Sequence, residues 1–478
     1  MSSLSIFDAA REAAHAPALI DGERTLSFGE LAAQAEPFAR ALERARPRAP
    51  QLTPRADVPS LLWLYAAFAT ATPVLTLHTR ATAAEVGQLS ALVDAVPPQP
   101  TWSVPTHDTP STPPDRDHTS PHAAEAPLVF IPTSGSTGDP RLVELSRRAV
   151  IASAAASAAN LGWEPNDRWL LCLPLAHTGG LSVVVRCLLA RRPVVLFDAG
   201  TSGALSRITE LTRAVEQVSL VSLVPSLLDA LLDADFCGHR YPALRAVLLG
   251  GAACSPALAR RVHAAGIPLL TSYGLTETAS QVATRRYAER LEPLAEHAGR
   301  VSSGHPLPGV EVALQGGLIA VRTPASFTRY VASSPRDREA ADDPERRSDG
   351  WLVTNDRGAF GSSGELYVLG RADNLIVTAG EKVDPLEVEN ALLELPEVRG
   401  ACVFGTISER FGHVITAALV TDTAALTDPE TLGRLLAPRL ARHKWPRRVL
   451  RVDSLPLTPS GKLDRRQCQA RWADSFER

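Results

Sequence analysis

Short apolar strands alternate with helical segments through the middle of the chain, and this alternation limits the folds that are open to it. The alternating segments are residues 169–173, 181–190, 193–197, 205–215, 220–224 and 246–249. Strands that are separated by helices form parallel sheets with helices packed on their faces. The pattern therefore predicts a layered α/β domain with parallel strands.

The chain length and a change of pattern near the C-terminus predict two domains. A chain of 478 residues is too long for one hydrophobic core. After Arg371 a helix is followed by two strands, and the remaining stretch of about 105 residues suffices for a small α+β domain. We predict a large N-terminal α/β domain at residues 1–371 and a smaller α+β C-terminal domain at residues 374–478.

Composition excludes several classes of protein. With 21% charged residues and a net charge of -3, the chain is typical of a soluble enzyme and not of a polybasic nucleic-acid binder. It has neither a signal-peptide pattern nor a run of about 18 apolar residues, so we expect a cytoplasmic protein without a membrane span. No C-x-x-C pair occurs, which favours buried reduced thiols over a zinc site or disulfides. The cysteines are Cys172, Cys187, Cys237, Cys254, Cys402 and Cys468.

Two local signals are clear in the N-terminal third. Ser27 and Glu30 stand at the spacing of a capping box, which predicts the start of an amphipathic helix that continues through Leu42. Residues 97–127 are rich in Pro, Thr, Ser, His and Asp. This composition buries little apolar surface, so it predicts a surface connection.

A loop of small and hydroxyl-bearing residues follows an apolar strand at 128–131. The loop residues are Thr133, Ser134, Gly135, Ser136, Thr137 and Gly138. Glycines let the backbone approach a ligand closely, and hydroxyl and free N–H groups donate to phosphate oxygens. Arg141 adds a fixed positive charge. The loop predicts a phosphate site, although it is not the G-x-x-x-x-G-K-[ST] motif and by itself also fits a polar surface turn.

Further segments with unusual composition follow this loop in the chain. They are TSYGLTET at 271–278, which follows an apolar stretch at 267–270, WLVTNDRG at 351–358, GELYVLGRADN at 364–374, and PLTPSGKLDR at 456–465. In this order and at these separations, the segments resemble the adenylate-forming superfamily of acyl-CoA synthetases, peptide-synthetase adenylation domains and luciferases. The resemblance covers nearly the whole chain.

The resemblance implies a reaction in two steps. A carboxylate attacks the α-phosphorus of ATP and expels pyrophosphate, and a thiol then attacks the acyl-adenylate and releases AMP. The first transition state concentrates negative charge on oxygen, which a lysine, fixed donors and Mg²⁺ offset. The implied cofactors and substrates are therefore ATP, Mg²⁺, coenzyme A and a small carboxylic acid, with no nucleic acid.

The resemblance also assigns residues to the nucleotide. It implies that residues 133–138 hold the β- and γ-phosphates, that Thr276 lies near the α-phosphate, and that Glu277 ligates Mg²⁺, a cation that prefers oxygen ligands. Asp356 is expected to bind the ribose hydroxyls, with Arg371 close by. The residues expected around the adenine, between a flat backbone surface and the ring of the tyrosine, are Gly250, Gly251, Ala252, Tyr273 and Gly274.

In the family the C-terminal domain is a mobile lid. Lys462 matches the lysine that bridges carboxylate and α-phosphate, and Asp373 matches the hinge, placed at 372–373. Rotation at the hinge withdraws Lys462 and brings the loop at 380–382 toward the site, which implies that Lys382 serves the thiol step. The basic residues between 434 and 466 are either a solvated face or a surface that attracts the phosphates of coenzyme A.

The motifs at 273–284 and 354–358, with the compact length, most resemble the o-succinylbenzoate–CoA ligases of menaquinone biosynthesis. Their acid is a dicarboxylate, so the pocket should offer polar or basic groups to the second carboxylate. His177 matches a histidine beside the acyl pocket of relatives, and it fits a structural histidine equally well. The candidate substrate-binding residues are His177, Ser280, Gln281 and Thr284.

The sequence is also compatible with other functions. One is another aryl- or acyl-CoA ligase, and another is a freestanding adenylation enzyme whose basic lid faces an acidic carrier protein. A noncatalytic nucleotide-binding protein is the alternative of a different class, but it would have no reason to keep Lys462, Glu277 and Asp356 together. The sequence also leaves open whether the protein forms a homo-oligomer.

Overall fold

The computed structural model of the protein describes residues 3–96, 124–134, 140–197, 204–331, 349–378, 380–408, 412–458 and 461–476. The helices with described bounds are α1 Ile6–Ala13, α2 Phe28–Ala45, α3 Val58–Ala69, α4 Ala83–Leu92, α5 Arg147–Leu161, α6 Thr178–Ala190, α7 Ala204–Val215, α8 Pro225–Asp233, α9 Pro256–Ala264, α10 Pro385–Leu393, α11 Pro429–Leu436 and α12 Arg465–Trp472. Short 3₁₀ turns lie at Thr276–Thr278 and Ala372–Asn374, among others.

The strands fall into an N-terminal and a C-terminal group. The first twelve are β1 Pro17–Asp21, β2 Arg24–Ser27, β3 Ala49–Leu52, β4 Val74–Thr76, β5 Ala95–Val96, β6 Pro127–Ser134, β7 Pro140–Ser146, β8 Trp169–Leu171, β9 Val194–Leu196, β10 Leu220–Leu223, β11 Ala246–Leu249 and β12 Leu269–Leu275. The next nine are β13 Ser280–Thr284, β14 Glu296–His297, β15 Arg300–Val301, β16 His305–Pro306, β17 Glu311–Gln315, β18 Leu318–Arg322, β19 Arg329–Val331, β20 Leu352–Phe360 and β21 Leu366–Arg371. The C-terminal strands are β22 Ile376–Thr378, β23 Glu381–Val383, β24 Val398–Ser408, β25 Gly412–Thr421 and β26 Arg448–Arg451.

The helix predicted to begin at Ser27 is present. The Glu30 N–H donates to Ser27 Oγ at 3.2 Å, and the Ser27 N–H donates to Glu30 Oε2 at 2.8 Å, so both bonds of the capping box form. The helix α2 runs to Ala45, beyond the predicted end at Leu42. The linker predicted at 97–127 lies outside the described residues except for its last four positions.

The largest sheet has nine strands in the order β16-β13-β12-β11-β10-β8-β9-β1-β2. The strands from β12 through β1 in this order are parallel neighbours, and β13 and β2 add antiparallel pairs at the two sides. All four residues of β10 are buried, as expected for a strand covered on both faces. The predicted layered α/β domain with parallel strands is therefore confirmed.

Two further sheets of the N-terminal part carry segments of the site. One has the order β19-β7-β6-β4-β3-β5, and its β6–β7 hairpin bears the glycine- and hydroxyl-rich loop. The other has the order β17-β18-β20-β21, and its β20 contains Asp356. A hydrogen bond from Tyr273 of β12 to Asp356 of β20 joins the second of these sheets to the largest sheet.

The C-terminal domain has a sheet and a core of its own. Strands β23, β22, β25 and β24 lie in that order, with β26 paired to β25, and α10 and α12 pack on β24. Its core includes Val388, Leu392, Val403 and Ile415. The predicted helix and the two predicted strands match α10, β24 and β25. The predicted hinge at 372–373 falls in the 3₁₀ turn Ala372–Asn374.

The cysteines are free thiols in the structure. Cys172, Cys187, Cys402 and Cys468 are buried, as expected. The expectation was wrong for Cys237 and Cys254, which are partly exposed and lie in irregular segments between a helix and a strand. Across the part of the chain that the structure describes, no helix combines the length and apolar character needed to cross a bilayer.

Candidate active site

The predicted adenine surface lies where β11 and β12 end. The structure extends β12 through the motif as far as Leu275, because β13 pairs with it, whereas the sequence predicted a strand that ends before the motif. Gly251 adopts a φ of 84°, and a Cβ added there would lie 3.3 Å from Val224 and 3.4 Å from Cε of Lys462. The lysine of the C-terminal domain therefore reaches the glycine surface of the N-terminal domain.

A turn at Gly461 presents Lys462 to the site. Gly461 has a φ of 81°, and its carbonyl accepts a bond of 2.9 Å from Ser226 Oγ of the N-terminal domain. The Lys462 N–H donates to Thr458 Oγ1 at 3.1 Å. Lys462 is open to solvent at the mouth of the site, yet the surrounding protein lowers the pKa of its amine, while Asp356 and Glu277 oppose that effect.

Arg465 fixes this turn to the core of the C-terminal domain. Its guanidinium donates to both oxygens of Glu389 at 2.7 and 2.8 Å and to the carbonyl of Val403 at 2.9 Å. Glu389 is buried, with 4% of its surface exposed. Because Arg465 begins α12 three positions after Lys462, the backbone of the lysine is tied to the domain that carries it.

Asp356 and Tyr273 meet inside the site. Tyr273 Oη donates to Asp356 Oδ2 at 2.7 Å, and both side chains are buried. Burial raises the pKa of Asp356, and the bond from Tyr273 and the charge of Arg371 partly offset the rise. Thr354 Oγ1 accepts from the Asp356 N–H at 3.1 Å, which fixes the backbone of the carboxylate.

Arg371 joins the predicted ribose residue to the predicted hinge. Its Nη1 lies 3.7 Å from Asp356 Oδ1, and its Nε and Nη2 each donate to Asp373 at 2.9 Å. This bidentate pair holds the pKa of Asp373 below its usual range. Asp356, predicted to bind the nucleotide, and Asp373, predicted to be the hinge of the lid, therefore both contact the guanidinium of Arg371.

Glu277 lies on the 3₁₀ turn Thr276–Thr278, which also carries Thr276 beside it. Tyr330 Oη donates to Glu277 Oε1 at 2.8 Å, and the Glu277 carbonyl accepts from the Phe327 N–H at 2.7 Å. Among the described residues no donor contacts the second carboxylate oxygen, which suits a hard cation such as Mg²⁺. Sequence reasoning missed Tyr330, which lies on β19, 53 positions from Glu277 along the chain, so no local pattern connects the two residues.

Two residues of the predicted phosphate loop, Thr133 and Ser134, end β6, which pairs with β7. Thr133 pairs with Arg141, and Ser134 pairs with Pro140. Arg141 lies over the ring of Tyr330, 5.5 Å from its centroid, which connects the hairpin to the residue that holds Glu277. The other predicted loop residues, Gly135, Ser136, Thr137 and Gly138, lie outside the described residues.

His177 precedes α6 as its N-cap residue, and its ring lies 5.6 Å from the ring of His78. Its Nε2 is buried, and no described group bonds to it. Burial lowers the pKa of His177 to about 4, with further lowering from His78 and Lys462. The imidazole is therefore neutral near pH 7. Sequence reasoning did not single out His78.

Arg186 is a buried cation on the same helix as His177, with 2% of its surface exposed. Its Nη2 donates to Ser280 Oγ at 3.3 Å, and its guanidinium lies 5.4 Å from the ring centroid of Trp169. No acidic side chain pairs with it within the described ranges, and its Nε has no partner there. Burial lowers its pKa to about 10. Sequence reasoning missed this residue.

The other predicted substrate residues lie on β13. Ser280 contacts Arg186, whereas Gln281 Nε2 donates to Thr284 Oγ1 at 2.6 Å. Gln281 and Thr284 line a small cavity against α5, which Trp169 also lines, and Gln281 Oε1 has no described partner. Ser280 therefore contacts the guanidinium of Arg186, whereas Gln281 and Thr284 bond to each other.

Lys382 is the predicted site residue that stands apart. It is exposed on the short strand β23 and makes no described bond to Glu277, Asp356 or Lys462. No cluster of three or more His, Cys, Asp or Glu side chains suited to a metal occurs in the portion that the structure describes.

Comparisons with known proteins agree with this geometry. The family model of AMP-binding enzymes matches residues 59–319, and that of the AMP-binding enzyme C-terminal domain matches residues 387–462. A 2-succinylbenzoate–CoA ligase of Bacillus licheniformis is 34% identical over 369 residues, which are 74% of this chain and 72% of the relative. The o-succinylbenzoate CoA synthetase of Bacillus subtilis, in complex with its acyl-adenylate intermediate, has a TM-score of 0.82 at 26% identity over 98% of both chains. Its complex with ATP and magnesium has a TM-score of 0.81 at 26% identity over 98% of this chain and 99% of the other.

Proposed function

The chain belongs to the AMP-binding enzyme family, and we propose on this premise that it joins a carboxylic acid to coenzyme A through an acyl-adenylate. We propose o-succinylbenzoate as the acid, which would place the enzyme in menaquinone biosynthesis in the cytoplasm. The observation that carries the choice of acid is Arg186, a buried guanidinium without a described acidic partner beside Ser280.

In the first step an oxygen of the acid attacks the α-phosphorus of ATP, and the bond to pyrophosphate breaks. Negative charge develops on the α-phosphate and carboxylate oxygens, where the amine of Lys462 offsets it. Asp356 accepts hydrogen bonds from the ribose, and Tyr273 fixes the carboxylate that does so. The contact of Lys462 with Gly251 supports a lid that is docked for this step.

Glu277 is the residue that would hold Mg²⁺, because one of its oxygens is fixed by Tyr330 and the other has no described donor. When bound, Mg²⁺ neutralises charge on the phosphates of ATP. The backbone and hydroxyls of residues 133–138, with Arg141, would bind the terminal phosphates. Tyr330 keeps the carboxylate of Glu277 beside the hairpin that carries Arg141.

In the second step the sulfur of coenzyme A attacks the acyl carbon, the bond from that carbon to AMP breaks, and the thiol proton is released. We propose that the lid rotates at Asp373 between the steps, as the family resemblance implies. Lys462 then leaves the site and Lys382 approaches it. The exposed position of Lys382 fits a residue that waits outside the site during the first step.

The second carboxylate of the acid is the part of the substrate that needs Arg186. A buried charge is costly unless an opposite charge pairs with it. A carboxylate beside Ser280 would pair with the guanidinium and so satisfy two buried ions at once. A fatty acid would leave Arg186 unpaired, which argues against a long-chain acid as substrate.

Pyrophosphate release and thioester formation with a set of acids test this proposal. The set is o-succinylbenzoate, its analogue without the aromatic carboxylate, benzoate and octanoate, each with and without coenzyme A. We expect the monocarboxylate analogue to lose at least about tenfold in kcat/KM, because an unpaired buried polar group costs roughly 1 to 3 kcal/mol. A higher kcat/KM for octanoate or benzoate would overturn the choice of acid. Adenylate formation without any thioester would indicate a carrier protein as acceptor.

A further inference from the structure

Asp384 of the C-terminal domain joins two arginines of the N-terminal domain. Its Oδ2 accepts from Arg300 Nη2 at 3.0 Å and from Arg357 Nη2 at 2.9 Å. We propose that this cluster, the Asp384 clamp, is a positioning device that docks the lid with Lys462 at the site. The inference rests on the two-step reaction proposed above.

The clamp lies in a buried place where few other partners are available. The side chains of Asp384 and Arg300 are 7% and 5% exposed, and that of Arg357 is 33% exposed. Asp384 is the only carboxylate that contacts either arginine within the described residues. Arg300 Nη1 and Arg357 Nε are buried without described partners. Removal of the Asp384 charge would therefore leave two cations uncompensated.

The three residues of the clamp lie next to residues that we assign to adenylate formation and to thioester formation. Arg357 follows Asp356 on β20. Arg300 lies on β15 and donates to the carbonyl of Leu369 on β21 at 3.0 Å. Asp384 stands two positions after Lys382 and begins α10. The clamp thus holds the segment that carries Lys382 at the same time as Lys462 contacts Gly251.

The carboxylate of Asp384 packs closely against Gly370 of the N-terminal domain. Gly370 has a φ of 130°, and a Cβ added there would lie 2.5 Å from Asp384 Oδ2. A side chain at position 370 would be strained at this φ and would displace the carboxylate from its present place. If the lid rotates about Asp373, Asp384 must leave both arginines, so the contact exists in the first step and is absent in the second.

Asp384→Asn tests the clamp without damage to α10. Asp384 Oδ1 accepts from the Leu386 N–H at 3.0 Å as the helix cap, and asparagine caps helices as well as aspartate does. We expect the rate of adenylate formation to fall at least about tenfold because the docked lid becomes less populated. Thioester formation from presynthesised acyl-adenylate should stay within about twofold. Arg357→Gln should shift the two rates in the same sense by a smaller factor.

Asp422→Asn is the matched control. Asp422 pairs with Arg399 in the same domain, 82% of its side chain is exposed, and the pair does not reach the N-terminal domain. This variant should leave both half-reactions unchanged. An equal loss in both half-reactions for Asp384→Asn, or wild-type adenylate formation by that variant, would overturn the proposal.

A second measurement needs no catalysis, so it separates failure of the clamp from failure of the proposed reaction. Spin labels on noncanonical residues at positions 207 and 430, one exposed position in each domain, report the distance between domains. In the unliganded wild-type protein, the distribution of distances between the two labels should have one main peak. In Asp384→Asn this peak should be broader or should lie at a different distance. Identical distance distributions would overturn the proposal even if the enzyme is active. Absence of pyrophosphate release from the wild type with every acid would instead overturn the proposed function.

Discussion

The hydroxyl of Tyr273 donates to Oδ2 of Asp356 across 2.7 Å, so a residue at the adenine surface fixes the carboxylate proposed to bind ribose. Tyr273 lies on β12 of the large sheet, and Asp356 lies on β20 of a different sheet. The bond therefore makes the position of the ribose site depend on how the two sheets pack. It also opposes the effect of burial, which raises the pKa of Asp356.

We expect Tyr273→Phe to move the acid limb of the pH profile of kcat/KM for ATP to higher pH. The variant removes a bond that lowers the pKa of Asp356, so protonation, which removes the charge that strengthens the bonds from the ribose hydroxyls, occurs at higher pH. Tyr367→Phe is the control, since its hydroxyl bonds to Glu365 at 3.1 Å. An unchanged acid limb in Tyr273→Phe would show that Asp356 does not govern ATP use.

Lys462→Ala should lower the rate of adenylate formation by about 10² to 10³, since loss of one donor to developing charge costs about 3 to 4 kcal/mol. Thioester formation from presynthesised acyl-adenylate should be largely spared, because the proposed lid rotation withdraws the lysine in that step. Rapid-quench measurements of each half-reaction give the two rates. Equal losses in both would contradict a lid that serves two geometries.

Lys382→Ala should slow thioester formation and spare adenylate formation, the reverse of the effect expected for Lys462→Ala. Lys382 is exposed and makes no described bond to the nucleotide residues, so adenylate formation should be close to that of the wild type. Thioester formation should slow if the lysine enters the site after rotation. The same pair of assays applies, and a variant that slows only adenylate formation would refute the assignment of Lys382 to the thiol step.

Arg186→Met should remove the preference for a dicarboxylate. We expect kcat/KM for o-succinylbenzoate to fall at least about tenfold, while the monocarboxylate analogue changes little or improves, because methionine leaves no unpaired charge. Thermal unfolding should show no loss of stability for the same reason. Arg192→Met, two positions after the last residue of the same helix, is the control and should keep the wild-type selectivity. A uniform loss for both acids would indicate that Arg186 is structural.

His177 should make stability depend on pH. Its pKa is about 4 in the folded protein and about 6.5 when unfolded, so between these values the unfolded chain binds more protons. The stability contributed by the neutral ring is therefore present above pH 6.5 and declines as pH falls toward 4. Chemical unfolding at several pH values should show a weaker decline for His177→Asn than for the wild type. Parallel curves for the two proteins would contradict this prediction.

Sequence reasoning succeeded where the signal is local. The capping box at Ser27, the alternation of strands and helices, and the order of the motifs each depend on neighbouring residues, and the structure or the comparisons confirm them. Arg186 could not be found in this way. It is one charge in an apolar helix, and its partner Ser280 is 94 positions away. Tyr330 and Glu277 are separated by 53 positions, and Asp384 and Arg300 by 84, so these contacts depend on the tertiary fold.

The attachment of Arg465 to Glu389 affects how quickly Lys462 can leave the site. Because Arg465 is fixed to the buried interior of its domain, the nearby turn that carries Lys462 is tied to that domain and is expected to move with it. Departure requires a whole folded body to move, and collective domain motions take microseconds to milliseconds. With the lid rotation proposed above, the time of this motion is a lower limit on the interval between the two chemical steps, and a more reactive thiol would not shorten it.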